Sequence, residues 1–143
     1  MSITLIGPAQ IPSLGFGTFQ LEQDTVADKV AAALSEGFRH IDTAQAYENE
    51  EQVGKGLRRA DVRRDDLFLT TKILPEHFSP EAFIAAADAS LKRLGTDYVD
   101  LLLLHWPSKE VPIAETIGAL NDLISAGKVR HGGVSNFTMD MVD

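Results

Sequence analysis

The sequence predicts a parallel α/β fold, either a barrel or a doubly wound sheet. Short apolar runs of strand-like composition alternate along the chain with stretches of helical periodicity, which is the order of such folds. Four of these runs end on polar side chains, namely Asp42, Lys72, His105 and the pair Ser135 and Asn136. Because ligands of both folds bind at the carboxyl ends of parallel strands, we expect these side chains to meet on one face of the sheet.

The amino-terminal segment is predicted to form two short strands and then the first core strand. The two strands are Ile3 to Ile6 and Ile11 to Leu14, on either side of a Gly7-Pro8 turn signal. The core strand is Leu14 to Thr18, and its glycines allow another backbone or a ligand to approach closely.

A helix is expected next, because apolar residues recur with the spacing of a buried stripe. The stripe consists of Val26, Val30, Ala33 and Leu34. Thr25 followed by Asp28 resembles a capping box at the start of this helix, and Gly37 is a suitable residue for its end. The strand that follows ends at Asp42.

Three more helices separate the remaining strands. The first runs from about Glu50 to Arg59, with Val53 and Leu57 facing inward. The second begins at Ser79-Pro80-Glu81, with a capping hydroxyl and a proline in the first turn, and ends at Gly95. The third ends at Gly127. Their buried stripes are predicted to be Ile84, Ala87, Leu91 and Leu94 in the second helix, and Ile113, Ile117, Leu120 and Ile124 in the third.

Composition and charge limit the partners, metal sites and cellular compartments that we expect for this protein. Hydrophobic residues make up 44% of the chain, and the formal net charge of -8 argues against nucleic acid or an anionic membrane as the main partner. The sequence has no cysteine for a disulfide or a thiolate metal site, and no two histidines have metal-site spacing. We see no secretory signal, and the longest apolar run, Leu101 to Leu104, is too short for a membrane span, so we expect a cytoplasmic protein.

Four motifs resemble the signatures of the aldo-keto reductases. They occur in the order and at the intervals that are usual for that family. They are His40-Ile41-Asp42-Thr43-Ala44-Gln45-Ala46-Tyr47 with Asn49-Glu50, Thr70-Thr71-Lys72, Leu104-His105-Trp106-Pro107, and Gly133-Val134-Ser135-Asn136-Phe137. The resemblance covers nearly all 143 residues. It is strongest to bacterial members that reduce 2,5-diketo-D-gluconate or methylglyoxal.

The resemblance implies a (β/α)8 barrel that binds NADPH without a Rossmann domain. Gly15-Phe16-Gly17 is not a dinucleotide fingerprint, because Gln20 stands at the third glycine position. A barrel of this kind needs roughly 250 residues. We therefore expect residues 1–143 to be the amino-terminal portion of a single barrel domain, with five of its core strands. On its own such a chain is expected to be poorly stable or to self-associate and to bind cofactor weakly, whereas the full-length parent is expected to be a monomer.

The family's catalytic roles transfer to four matching positions. The resemblance implies that Tyr47 donates a proton to the substrate carbonyl, that Lys72 and Asp42 modulate it, and that His105 orients the substrate. The chemistry is reasonable, because hydride transfer to a carbonyl leaves negative charge on oxygen, which a positioned acid must neutralise. A free tyrosine has a pKa of about 10, and a neighbouring ammonium favours the ionised form of a phenol.

The resemblance also implies contacts with cofactor and substrate. The cofactor contacts are Gly17, Thr18, Asp42, Ser135 and Asn136, of which the last two match positions that hydrogen-bond the nicotinamide carboxamide. The substrate contacts are Phe19, Tyr47, His105 and Trp106, which suit a small carbonyl compound. No metal is expected to take part.

Other functions remain open at this point. A barrel aldolase or lyase could use Lys72 as a Schiff-base nucleophile, although Asp42 is expected to keep that amine protonated. A reductase-like barrel can also serve as a non-enzymatic binding or redox-sensing subunit, and a shortened chain can be an inactive remnant.

Overall fold

A five-stranded parallel sheet with helices packed on one face forms the centre of the molecule. The structure is a computed structural model that describes residues 3–6 and 8–142, with side chains from residue 8 onward. Sheet order follows chain order from β3 to β7, and β1 and β2 form a separate antiparallel pair. The strands are β1 Ile3–Ile6, β2 Ala9–Pro12, β3 Gly15–Gly17, β4 His40–Asp42, β5 Phe68–Ile73, β6 Val99–Leu104 and β7 Val129–Val134. The helices are α1 Val26–Ser35, α2 Glu50–Arg59, α3 Pro80–Leu94 and α4 Ile113–Ser125.

The predicted elements are all present, with small shifts at their ends. The strand predicted to end at Lys72 continues through Ile73, and the predicted strand at Ile11 to Leu14 lies instead at Ala9–Pro12. Gly7 of the predicted turn lies outside the described residues. The segment after β7 forms a short 3-10 helix, Met139–Met141.

Alternation along the strands separates the two faces of the sheet. Ile41, Leu69 and Leu102 are almost fully buried and belong to the apolar core between sheet and helices. Their neighbours in sequence point to the opposite, concave face, where parallel register places Asp42 beside Thr70 and Lys72 beside Leu103. The polar strand ends therefore lie at one edge of the concave face.

The predicted cap at the start of α1 is wrong, and the one at its end is confirmed. Thr25 already has helical backbone angles, and its hydroxyl donates to Glu22 O (3.0 Å) instead of capping the helix. A side-chain cap requires an extended backbone at this position. Gly37 has φ +99°, and the amides of Gly37 and Phe38 donate to Leu34 O and Ala33 O, as in a Schellman motif.

The buried faces of α3 and α4 are wider than the predicted stripes and displaced from them. In α3 the buried residues are Phe83, Ala86, Ala87, Ser90, Leu91 and Leu94, whereas Ile84 is only partly buried. In α4 they are Thr116, Ala119, Leu120 and Leu123, and Ile113, Ile117 and Ile124 pack at the margin of the core. Small and polar residues such as Ser90 and Thr116 are buried here, and hydrophobic periodicity does not detect them. Ser79 begins α3 as predicted but makes no side-chain capping hydrogen bond.

Two glycines let α2 pack closely against both neighbouring helices. A Cβ atom at Gly54 would lie 2.5 Å from Leu94 O of α3, and one at Gly56 would lie 2.7 Å from Ala27 O of α1. Carbonyl oxygens of a helix backbone cannot move away easily, so both positions require glycine. This packing fixes the start of α2, which directly follows the segment that carries Tyr47.

Both edges of the sheet are open in the described part of the chain. β3 and β7 each pair on one side only, and Leu101, Leu103 and His131 on the concave face are partly exposed. No helix in the part of the chain that the structure describes is long and apolar enough to cross a membrane.

We expect the 143-residue chain expressed alone to self-associate, because unpaired edge strands offer their backbone groups to other chains. Size-exclusion chromatography with light scattering over a range of concentrations measures this directly. A monodisperse monomer at every concentration would contradict the expectation.

Candidate active site

Lys72, near the end of β5, is held by three acceptors. Its Nζ donates to Asp42 Oδ1, to Thr43 O (3.0 Å) and to Tyr47 Oη (3.3 Å). The Lys72 side chain is 8% exposed and that of Asp42 is 40% exposed. An ammonium has three protons to donate, so each proton of Lys72 has one acceptor.

The three acceptors around Lys72 Nζ do not suit a Schiff-base nucleophile. A Schiff-base lysine needs a neutral amine with a lone pair directed at the substrate. Here a carboxylate, a carbonyl and a phenol oxygen surround the nitrogen, and all three accept hydrogen bonds. The geometry is that of a charged donor directed at Tyr47 Oη.

Aromatic rings form a continuous row across the carboxyl ends of the strands. Tyr47 lies in a short 3-10 helix after β4, with its ring centroid 5.1 Å from that of Phe19 and 5.9 Å from that of His105. The His105 ring stacks on Trp106 at 3.6 Å with an interplanar angle of 9°. Phe19 is 62% exposed and Trp106 41%, so the row ends in an exposed aromatic side chain on each side.

His105, the first residue after β6, is buried and lacks a partner on one side. It is 5% exposed, and its Nδ1 is the buried side-chain nitrogen or oxygen that has no hydrogen-bond partner among the described residues. Burial lowers the pKa of His105 below its ordinary value, and the Lys72 ammonium lowers it further, while Asp42 acts in the opposite direction. The imidazole is therefore favoured in its neutral form.

His40 is a further polar residue on the concave face, two residues before Asp42 in β4. Its Nε2 lies 2.9 Å from Thr70 Oγ1. Burial is the main cause that lowers the pKa of His40, with a smaller contribution from Lys72, and Asp42 opposes both. A cavity of about 490 Å³, lined in part by Gly17, His40 and Asp42, runs along this face.

Three buried polar side chains lie directly after β3, after β4 and before α2. Thr18 Oγ1 donates to Thr43 Oγ1 (2.9 Å), and Thr43 Oγ1 donates to Asn49 Oδ1 (3.2 Å). Asn49 Nδ2 then donates to Thr18 O (2.9 Å), which closes a ring of hydrogen bonds. Thr18 and Thr43 are 0% exposed and Asn49 is 2% exposed. We refer to these three residues as the buried ring.

The predicted cofactor residues differ in what they still offer a ligand. Both backbone polar groups of Thr18 are used within the protein, since its amide donates to Asp42 O and its carbonyl accepts from Asn49. Asn136, just after β7, donates through Nδ2 to His105 O (2.9 Å) and to Ser135 Oγ (3.1 Å). The Ser135 proton and Asn136 Oδ1 then match the acceptor and donor of a primary carboxamide, so this pair fits a nicotinamide.

The structure thus brings most of the predicted residues to one edge of the sheet. Asp42, Tyr47 and Lys72 are in direct contact, and Asn136 is joined to His105 through the carbonyl of that residue. Gly17 lies at the exposed end of β3.

Three residues of the first motif matter more than the sequence suggested. Thr43 and Asn49 belong to the buried ring, and Gln45 Oε1 accepts from the Leu74 amide (3.2 Å), which links the Tyr47 segment to the end of β5. The sequence contained one indication of their importance. These polar residues lie in the short segment between β4 and α2, and both of these elements contribute residues to the core.

Among the described residues, no group of three or more histidine, aspartate or glutamate side chains is arranged to hold a metal ion.

Comparison with known proteins identifies relatives of the chain. The family model of the aldo/keto reductases matches residues 13–143. Methylglyoxal reductase DkgB of Yersinia pestis is 46% identical over 134 residues, which cover 92% of this chain and 50% of that protein. Glyoxal reductase of Bacillus subtilis is 42% identical over 137 residues, covering 95% of this chain and 49% of that protein. The chain spans about half the length of the curated relatives it matches.

Solved structures give the same result at the level of the fold. A protein assigned as a 2,5-diketo-D-gluconic acid reductase B superposes with a TM-score of 0.90 at 52% identity, covering 92% of this chain and 47% of the other. An aldo/keto reductase from Brucella melitensis gives a TM-score of 0.89 at 43% identity, covering 99% of this chain and 55% of the other. The predicted fold class is confirmed, and the chain, with its five-stranded parallel sheet, corresponds to about half the length of these barrel proteins.

Proposed function

Because the chain belongs to the aldo/keto reductase family, we propose that it carries the catalytic residues of an NADPH-dependent reductase of small aldehydes and ketones. Dicarbonyls such as methylglyoxal or 2,5-diketo-D-gluconate are the proposed substrate class, by analogy with the names of the relatives. The observation that carries the proposal is Tyr47, whose hydroxyl accepts a hydrogen bond from the Lys72 ammonium and whose ring contacts the His105 ring.

Tyr47 is the proposed proton donor. Bound NADPH would supply the hydride to the carbonyl carbon. As negative charge develops on the carbonyl oxygen, the Tyr47 hydroxyl gives its proton to that oxygen and is left as a phenolate. The hydrogen bond from Lys72 Nζ (3.3 Å) stabilises the phenolate, and Asp42 and Thr43 O hold the ammonium in place.

His105 is the proposed orienting residue for the substrate. Its Nδ1 is enclosed and has no acceptor nearby in the described part of the chain, so a proton on Nδ1 would be unpaired. With its proton on Nε2, the neutral ring can donate to the carbonyl oxygen. Phe19 and Trp106 would form the apolar sides of the substrate pocket.

The proposed cofactor contacts are Gly17, Thr18, Asp42, Ser135 and Asn136. Ser135 and Asn136 would hold the nicotinamide carboxamide, and Asn136 is joined to the His105 carbonyl. Thr18 would act indirectly, through the backbone that it holds, because it is 0% exposed and its backbone groups already have partners. Residues 1–143 would form the amino-terminal portion of a single barrel domain, in keeping with the fraction of each relative that they match.

Steady-state oxidation of NADPH with methylglyoxal tests the function, using the protein as its gene encodes it. Multiple turnovers with stoichiometric loss of the carbonyl are expected. Binding of NADPH without turnover would favour a non-enzymatic binding or redox-sensing subunit. Borohydride trapping of the substrate on Lys72 would favour the aldolase or lyase, which the three acceptors around Nζ make unfavourable.

A further inference from the structure

The Asn49 side chain does not cap the helix that it precedes. An asparagine directly before a helix usually accepts a hydrogen bond from the first turn. In this structure Asn49 makes no side-chain capping bond to α2, and its backbone angles, φ −125° and ψ 10°, are not those of a capping residue. The amide points instead to Thr18 and Thr43, where it makes the closing bonds of the buried ring.

The buried ring joins the ends of two strands to the start of α2. Thr18 follows β3, Thr43 follows β4, and Asn49 lies two residues after Tyr47. The two strand ends are also joined by the Thr18 amide, which donates to Asp42 O (3.0 Å). All side-chain polar atoms of the ring have partners within the described part of the chain, as buried polar groups require.

Two of the three acceptors of Lys72 belong to the segments that the ring holds. Thr43 accepts from Lys72 Nζ through its carbonyl (3.0 Å), and its hydroxyl is a member of the ring. Tyr47, the acceptor at 3.3 Å, lies between Thr43 and Asn49 in the chain. A shift of either ring member would therefore change the direction of the Lys72 ammonium relative to the Tyr47 hydroxyl.

We propose that Asn49 and Thr43 are positioning residues, and that the buried ring sets the hydrogen bond between Lys72 and Tyr47. This inference rests on the proposed reductase function, because it assigns the ring a role in the proton-donor geometry of that site. Both side chains are buried, with Thr43 0% and Asn49 2% exposed, so their role is indirect. A small displacement in a preorganised site can lower the rate by up to about 10²-fold. Substitution of Thr43 or Asn49 is therefore expected to change mainly kcat.

Substitutions of Thr43 provide the test. Thr43→Val keeps the shape of the side chain and its carbonyl but removes the hydroxyl, and Thr43→Ser keeps the hydroxyl. We expect Thr43→Val to lower kcat by about 10- to 100-fold with little change in KM, and Thr43→Ser to restore most of it. Asn49→Ala is expected to match Thr43→Val.

A second readout does not depend on turnover. In a ¹H–¹⁵N NMR spectrum of the side-chain ammonium groups, Lys72 should give a slowly exchanging signal in the wild type and in Thr43→Ser. The signal should broaden or disappear in Thr43→Val and Asn49→Ala. This measurement tests the ring even if the protein turns over no substrate, so failure of the reductase proposal is distinguishable from failure of this one.

Thr116→Val is the matched control. Thr116 in α4 is also 0% exposed, and its hydroxyl donates to Phe78 O (2.8 Å), without a link to Lys72. It should lose stability like Thr43→Val but keep kcat and the Lys72 signal. An unchanged kcat and Lys72 signal in Thr43→Val would overturn the proposal, and so would equal losses in both valine variants.

Discussion

Replacing Tyr47 with phenylalanine is expected to lower kcat for carbonyl reduction by about 10²- to 10⁴-fold, the usual contribution of a positioned acid. The substitution removes one oxygen and leaves the ring, which contacts Phe19 and His105. Binding of NADPH and the fold should therefore change little. Steady-state kinetics with methylglyoxal, together with a fluorescence titration of NADPH, separates the loss of chemistry from a loss of binding.

Tyr98 offers a matched control, since the chain has only two tyrosines. The Tyr98 ring packs between Arg64 and Arg130, and its hydroxyl donates to Asp65 Oδ1 (3.2 Å) at an exposed position. Tyr98→Phe makes the same chemical change just before β6, at the amino ends of the strands, and should leave kcat unchanged. If both variants had equal activity, Tyr47 would not be the proton donor.

Strand alternation and strand ends were enough to predict where the polar residues meet. A strand that ends on Asp42 and a parallel neighbour that ends near Lys72 must place both side chains at the same sheet edge, and the structure has them in contact. The same reasoning could not identify Thr43 O as a third acceptor of Lys72. A backbone carbonyl is present at every residue, and only the path of the chain after β4 directs this one at Nζ.

Helix boundaries were predictable where a special backbone conformation was needed. Gly37, Gly95 and Gly127 all have positive φ, and each lies at the end of a helix as expected. The start of α1 was not predictable from Thr25 and Asp28. The turn from Glu22 to Thr25 already places Thr25 in the helical region, so its hydroxyl cannot reach the first-turn amides.

Buried polar groups account for most of what the sequence did not reveal. Hydrophobic periodicity counts apolar residues alone, so it missed Ser90 and Thr71, which are almost fully buried. Both are buried because they share a partner, Glu50, the first residue of α2. The sequence motif contains Glu50, but nothing local to it indicates that the carboxylate is inside the protein.

Glu50 is a buried charged residue whose loss should cost much of the stability of the fold. Its side chain is 1% exposed, and its carboxylate accepts bonds from Thr71 Oγ1 (2.9 Å), Ser90 Oγ (3.2 Å) and two nitrogens of Arg93 (3.2 and 2.8 Å). These bonds join α2 to β5 and α3. Its position in the first turn of α2 also places the negative charge at the favourable end of the helix dipole.

We expect Glu50→Ala to lower the free energy of unfolding by about 3 kcal/mol, because it leaves a cavity, two buried hydroxyls without their acceptor, and a partly buried guanidinium without its counter-ion. Urea unfolding followed by circular dichroism measures the change. Glu51, the next residue, is 66% exposed and pairs with Lys55 at 3.1 Å. Glu51→Ala should cost at most about 0.5 kcal/mol, since exposed pairs contribute little. Equal losses in the two variants would mean that the carboxylate of Glu50 does not hold α2 against β5 and α3, and that the start of α2 depends on helix packing at Gly54 and Gly56 alone.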